Sequence, residues 1–276
     1  MGVLNVTPDS FYDGGVYAEP EAAVAHGLRL AGEGADILDI GGESSRPGSE
    51  PVSVEEELRR VLPVVRGLRT RTPAILSVDT TKPGVARAVL DEGADIINDI
   101  SSFRLDTQLL KHVAAAGAGL ILMHMQGSPK TMQANPSYVD VVGEVRAFLE
   151  ERMTVAQAYG VEAASIVLDP GIGFGKRLED NLTLMNELGA LAGLGRPILL
   201  GASRKSFIGK LLNAPPSDRL EGTIAASIIG IVRGAHILRV HDVRAVKQAA
   251  AVADAILAAG AGRPGREKSS DHGYVQ

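Results

Sequence analysis

The sequence predicts an α/β fold: a single (β/α)8 TIM barrel with its functional face at the C-terminal ends of the strands. Three observations carry this expectation. First, a short phrase recurs, as Gly34-Ala35-Asp36-Ile37-Leu38, Gly93-Ala94-Asp95-Ile96-Ile97, Gly117-Ala118-Gly119-Leu120-Ile121 and Gly234-Ala235-His236-Ile237-Leu238. Each copy follows helical apolar spacing and opens a β-rich run, the pattern of a helix ended by a left-handed glycine and a tight turn into a buried strand. Second, the resulting strands alternate with helices, which demands parallel pairing. Third, every strand ends in a polar residue. Eight strand–helix units in about 260 residues match a barrel; an open doubly wound sheet is the alternative, and it need not give eight even units.

The elements follow in order. Strands are expected near 2–6, 36–40, 74–78, 95–98, 119–123, 165–168, 197–201 and 236–240. Amphipathic stretches lie between them near 20–33, 54–70, 83–92, 106–116, 137–159, 178–192 and 217–233, with a last one at 242–258. Pro20 and Pro83 suit first helical turns, where a missing N–H costs nothing. The Glu55-Glu56-Glu57 run reads as a solvated helix N-terminus, favourable to negative charge. Residues 1–259 are expected to form one barrel domain, and the polar, Gly-rich stretch 260–276 a frayed, flexible tail.

Composition narrows the function classes. Hydrophobic residues make up 45% and charged ones 22%, enough for a substantial core without staples. With 28 basic and 33 acidic residues the formal charge is −5, which argues against a nucleic-acid coat. The absence of cysteine excludes disulfides, thiolate metal sites and cysteine nucleophiles, and fits a reducing compartment. No apolar run reaches the roughly 18 residues of a membrane span, and the first residues lack a basic region before an apolar stretch. A cytoplasmic protein without membrane or nucleic-acid partners is the expectation.

The strand ends supply the chemistry. They read Asn5, Asp39, Asp79, Asn98, His124, Asp169, Ser203 with Lys205, and Arg239 with His241, all on one rim. A lone strand-end Asp is as readily a helix N-cap as a ligand, and His124 alone reads as a packed or capping residue. A full rim of polar groups reads as a converging site. Carboxylates can accept hydrogen bonds from a flat, nitrogen-rich ring. Lys205 and Arg239 suit an anion, and barrels often hold phosphate near the loops after strands 7 and 8. A heteroaromatic, phosphorylated substrate follows. The four remaining histidines that could bind metal, His26, His112, His236 and His272, lack ligand-like spacing.

The runs MGVLNVTPDSF (1–11), DIGGESSRPG (39–48), SVDTTK (77–82), INDIS (97–101), LMHMQG (122–127), DPGIGFGK (169–176), GASRKSFIG (201–209) and RVHDV (239–243) carry a resemblance. In this order, over about 1–260, the chain resembles the dihydropteroate synthase family of pterin-binding enzymes. The resemblance implies a transferase that joins (7,8-dihydropterin-6-yl)methyl diphosphate to p-aminobenzoate, giving 7,8-dihydropteroate and pyrophosphate with magnesium, the step that sulfonamides inhibit. It implies catalytic roles for Lys205, Asp79 and Asp169, and a pterin pocket of Asp79, Asn98, Asp169, Phe174, Lys205 and Arg239. Asn5 would meet magnesium and diphosphate, with Ser45, Arg239 and His241 holding the anion. Phe11, Arg46, Pro47, Lys205 and Ser206 would form the p-aminobenzoate site, and two subunits would pair through the last helices.

The 171–176 loop fits neither GxGxxG nor the P-loop spacing, and reads as a device for positioning Phe174. Lys205 is expected to bind and orient more than to act as a general acid. Two departures stand out: Ser45 replaces the usual Thr, and the chain begins at the first strand, where relatives carry a dozen or more residues that cover the barrel base. Two alternatives share the ring-binding residues: a methyltetrahydrofolate-type pterin methyltransferase, which has no need of a diphosphate site, and a pterin-binding paralogue without synthase activity.

Overall fold

A computed structural model describes residues 1–7, 18–44 and 48–261. Its elements run β1 (Gly2–Asn5), α1 (Ala18–Gly32), β2 (Ile37–Gly41), α2 (Val54–Arg69), β3 (Ile75–Asp79), α3 (Pro83–Asp91), β4 (Ile96–Asp99) and α4 (Gln108–Ala116). They continue with β5 (Gly119–Met123), α5 (Val141–Ala158), β6 (Ile166–Asp169), α6 (Leu178–Asn186), β7 (Leu199–Leu200), α7 (Ser206–Leu212), α8 (Leu220–Val232), β8 (Ile237–Leu238) and α9 (Val243–Ala261).

All strand pairs are parallel. β1 to β6 form one sheet in sequence order, and β7 pairs with β8. Two bridges join the pieces, Leu168 with Ile198 and Gly2 with Val240. The Val3 amide donates to the Val240 carbonyl at 3.0 Å, and the Val240 amide to that of Met1 at 2.9 Å, so the last strand returns to the first. The architecture is the expected (β/α)8 barrel. β7 and β8 are shorter than expected because the His236 and Ile237 amides both converge on the Ile198 carbonyl (2.8 and 3.1 Å), which interrupts a regular ladder.

Local signals explain most boundaries. The four glycines of the recurring phrase, Gly34, Gly93, Gly117 and Gly234, all take positive φ, the conformation that lets each helix turn sharply into its strand. The Ser53 side chain caps α2 by accepting from the Glu56 amide at 3.2 Å, and Pro83 opens α3. Two expectations need correction. The stretch after β7 contains a helix, α7, whose seven residues are too short a run to show a period. Glu57 is not solvated: it is fully buried on the inner face of α2, where Lys82 bridges it (2.5 Å) to Glu43 (2.5 Å).

Strand alternation sorts the core into two compartments. Residues facing outward, such as Leu4, Leu38, Ile40, Leu76, Val78 and Leu168, pack under the helices as one large cluster. Residues facing inward near the strand starts, Met1, Ile37, Ile121 and Leu199 with Ile96, Val167 and Ile237 against them, plug the lower half of the lumen. That plug leaves only the upper half of the barrel for polar side chains. Among the described residues no helix is long and apolar enough to cross a membrane.

Candidate active site at the C-terminal rim

Above the apolar plug the inward positions become charged. The parallel register sets Asn5 beside Gly41, Gly41 beside Asp79, and Asp79 beside Asn98. Gly41 leaves this row open: a Cβ there would lie 3.8 Å from Asn5 Oδ1 and 3.7 Å from Asp79 Cβ. One level lower, the fully buried Asp39 organises the floor. Its Oδ1 accepts from Ser77 Oγ (2.6 Å), and its Oδ2 from Asn98 Nδ2 (3.1 Å) and Arg239 Nε (2.6 Å). Arg239 Nη2 also reaches Asp79 Oδ2 at 3.3 Å. Arg239 therefore stands between two carboxylates, with donors already committed to the ring-side half of the site.

These contacts set the charges. Burial alone would lower the Arg239 pKa, but Asp39 and Asp79 outweigh it and hold the guanidinium charged. Burial, reinforced by the repulsion of Asp39 and opposed by Arg239, pushes Asp79 up to about 8. Burial also raises Asp169, against Lys205 and the Gly171 N–H that its Oδ1 accepts at 2.7 Å. Burial lowers Lys205 to about 8, although Asp169 pulls the other way. Asp79 thus keeps a proton near neutrality.

This has a sign that can be checked. A carboxyl whose folded pKa exceeds its unfolded value binds protons more tightly when folded, so its contribution to stability falls as pH rises from about 4 to about 8. Asp79→Asn lacks that loss. Urea titrations at pH 5 and pH 8.5 should show the variant gaining on the parent at the higher pH; a pH-independent difference would contradict the assignment.

The anion side is built differently. Ser203 Oγ lies 2.9 Å from His241 Nδ1 and accepts from the His241 amide at 3.2 Å. Burial, then Arg239, lowers His241 to about 4, so the ring is neutral. Because Ser203 Oγ already accepts from the His241 amide, its own proton is available for Nδ1; in that tautomer Nε2 carries the ring proton and can donate to an anion. Arg204 does not join it: its guanidinium is held in two bonds to Asp242 (2.8 and 2.6 Å).

The loop after β6 supplies the aromatic wall. Lys205 Nζ lies 4.6 Å from the Phe174 ring centroid and donates to the Ile172 carbonyl, joining the loops after β6 and β7. Phe174 rests on a pliable cluster of Met123, Met125 and Met132. Ser206 is exposed at the start of α7, beside Lys205. Ser45, Arg46, Pro47 and Phe11 lie outside the described residues. Asp39 is the residue to which sequence reading gives a rim position but no role; its register one step below Asp79 could have flagged it. His124 is a packed histidine, its ring edge-on to Phe148 at 5.0 Å.

Comparison with known proteins decides the family. The pterin binding enzyme family model matches residues 1–241. Dihydropteroate synthase of Escherichia coli (strain K12) is 48% identical over 259 residues, covering 94% of this chain and 92% of the relative. The chain belongs to the dihydropteroate synthase family. Among solved structures of the family, that of Xanthomonas albilineans with 4-aminobenzoic acid superposes with a TM-score of 0.88 at 50% identity, covering 94% of this chain and 92% of the other. The Yersinia pestis enzyme in a sulfonamide drug complex gives 0.88 at 43% identity, covering 94% of each chain.

Magnesium, which family membership implies, can be tested against the donor set. Among the described residues no three His, Cys, Asp or Glu side chains cluster to form a cage. Asn5 offers one hard oxygen on the rim beside the open Gly41. Magnesium usually keeps several waters and takes only one or two protein oxygens with substrate phosphates. The described residues fit an ion that arrives on a diphosphate, with Asn5 as a protein oxygen, and form no cage for a resident metal.

Proposed function

We propose that this chain is a dihydropteroate synthase: it transfers the dihydropterin methylene from diphosphate to the amine of p-aminobenzoate, yielding 7,8-dihydropteroate and pyrophosphate. The observation that carries the reading is the rim itself, where ring-accepting carboxylates and an aromatic–lysine wall stand beside an anion corner, in a chain 48% identical to a synthase. Asp79, Asn98 and Asp169 bind the pterin ring from one side, and Phe174 and Lys205 from the other. Asn98 donates to Asp39, leaving its amide oxygen and a second N–H for the ring.

Breaking the C–O bond leaves positive charge on the pterin and negative charge on the diphosphate. Carboxylates fixed at Asp79 and Asp169 stabilise the first, and a cationic ring favours Asp79 losing its proton, as Arg239 already does. Nε2–H of His241 and the charge of Arg239 serve the second, with Ser45 as a further hydroxyl. Magnesium, held through Asn5, would neutralise part of the diphosphate charge. The amine then attacks the methylene carbon with no protein nucleophile, so positioning supplies much of the rate. Lys205 and Ser206, with Phe11, Arg46 and Pro47, hold p-aminobenzoate. The test is pyrophosphate release with the pterin diphosphate and magnesium, with and without p-aminobenzoate. Release that requires p-aminobenzoate is expected; no turnover by folded, pterin-binding protein would favour the non-catalytic alternative.

We assign the reaction to the cytoplasm, whose reducing conditions suit a cysteine-free chain. We also propose a homodimer formed through the last helices. Leu211 and Leu212 on α7, Ile229 and Val232 on α8, and Val252, Ile256 and Leu257 on α9 are all exposed large apolar side chains. Light scattering should give twice the 28.8 kDa chain mass, and Val252→Glu/Ile256→Glu should give a folded monomer. An unchanged dimer would remove α9 from the interface.

A further inference from the structure

The loop between β6 and α6 is crossed from the inside by a buried ammonium that the proposed reaction does not use. Lys176 is 3% exposed. Its Nζ lies 2.9 Å from His124 Nδ1, 2.9 Å from the Gly171 carbonyl, 3.0 Å from that of Phe174 and 3.3 Å from that of His124. The Gly171 carbonyl also accepts from the Phe174 amide at 3.0 Å, so Lys176 closes a tight turn whose ends are Gly171, bonded through its N–H to Asp169, and the aromatic wall. The same cation ties this turn to the end of β5, where the His124 amide bonds the Asp169 carbonyl at 3.0 Å. Contact with β5 is close: a Cβ on Gly171, at φ +68°, would stand 1.9 Å from the His124 carbonyl oxygen.

His124 is built to be the acceptor. Burial lowers Lys176 to about 7, with Asp169 pulling the other way. In its charged form Nζ has donors only, so it pairs with the His124 tautomer whose Nδ1 is unprotonated and whose Nε2 carries the ring proton. Burial, then the charges of Lys176 and Arg104, lowers His124 to about 3, which keeps the ring neutral. Phe148 and Tyr138, with ring centroids 5.0 and 6.0 Å away, fix its plane. Three further carbonyls of the loop have their own partners: Lys205 takes that of Ile172, Gln133 that of Gly173 (2.8 Å) and Tyr138 that of Gly175 (2.6 Å). Among the described residues Lys176 is the side chain that holds the Gly171 and Phe174 carbonyls, at the two ends of the turn that carries Phe174.

We infer that Lys176, with His124 as its fixed acceptor, is the positioning residue of the ring subsite, setting both the Phe174 ring and the Asp169 carboxylate for a flat heteroaromatic ligand. The ligand follows from the proposed function; the positioning follows from the contacts. Without the Lys176 donor, the Phe174 carbonyl loses its side-chain partner, the buried Gly171 carbonyl keeps only the Phe174 amide, and the turn loses its tie to His124.

The test compares Lys176→Met, His124→Leu and His124→Asn. The Asn Oδ1 can stand where Nδ1 stood and accept from the ammonium; Leu cannot. Steady-state kinetics for both substrates, calorimetric affinity for 6-hydroxymethylpterin, and hydrogen exchange of the 170–176 amides are measured. Lys176→Met and His124→Leu should raise KM for the pterin diphosphate about tenfold or more, the scale of one lost charged hydrogen bond. They should leave KM for p-aminobenzoate within about twofold and speed exchange at Gly171 and Gly173. His124→Asn should restore parental values. Unchanged pterin affinity and exchange in folded His124→Leu would overturn the inference. Equal losses for both substrates would do so too, marking the pair as part of general stability. Should Lys176→Met fail to fold, the two His124 variants decide. A parent protein that binds pterin without turnover would sink the proposed reaction and leave this inference standing on affinity and exchange.

Discussion

Asp169→Asn is expected to weaken pterin binding by roughly 1.5–3 kcal/mol, a ten- to hundredfold loss or more, while the protein stays folded. The geometry makes this substitution more damaging than its size suggests. Asp169 Oδ1 is committed to the Gly171 amide at 2.7 Å. In the variant the asparagine oxygen takes over that bond, because the amide can only donate. Its NH2 group then turns to the ligand, where the pterin edge also presents N–H donors. A hydrogen bond becomes a donor–donor clash, buried beside a site that is 6% exposed at this residue. Calorimetry with 6-hydroxymethylpterin checks it, and affinity within about threefold of the parent would remove Asp169 from ring recognition.

Removing Arg239 is expected to cost the most stability. Arg239→Met deletes the cation that faces both Asp39, fully buried, and Asp79, 14% exposed. A buried ion pair broken from one side leaves an uncompensated charge, and about 3–5 kcal/mol is the usual loss. Asp79 would then be raised further, since Arg239 is the main charge opposing its rise. A raised carboxyl loses stability as pH increases, so the deficit should be larger at pH 8.5 than at pH 5. Adding Asp39→Asn should recover part of it, by removing the carboxylate that Arg239 paired most closely while keeping the Ser77 and Asn98 contacts available. Urea denaturation of the single and double variants measures this coupling. In a variant that still folds, KM for the pterin diphosphate should rise more than the dissociation constant of bare pterin; equal changes would take Arg239 out of the anion corner.

Both predictions turn on residues that sequence reading could find and on contacts that it could not. Strands, helices and their order were legible because their causes are local. Alternation along a strand, apolar spacing along a helix, and the glycine turns at Gly34, Gly93, Gly117 and Gly234 act within a dozen residues. The rim was legible for the same reason: in a parallel barrel each strand end is a fixed point of its own unit, so Asn5, Asp79, Asn98, Asp169, Lys205 and Arg239 could be placed on one face from order alone. Motif order then carried the family.

The partners of those residues were not legible, because they meet across the lumen. Arg239 and Asp39 are 200 positions apart, and nothing near either one states that the guanidinium faces carboxylates before it faces an anion. Glu57 looked solvated because its sequence neighbours are glutamates, yet Lys82, at the N-terminal cap of α3, draws it inside. Lys176 looked like the end of a glycine loop; its role depends on His124, which is 52 positions away. By itself the sequence determined the barrel, its functional face and the family, since short-range periodicity and turn chemistry encode them. Only the tertiary structure decided which charges are paired, which carboxyl keeps its proton and which lysine holds the ring-side loop, since burial and long-range contacts set those energies.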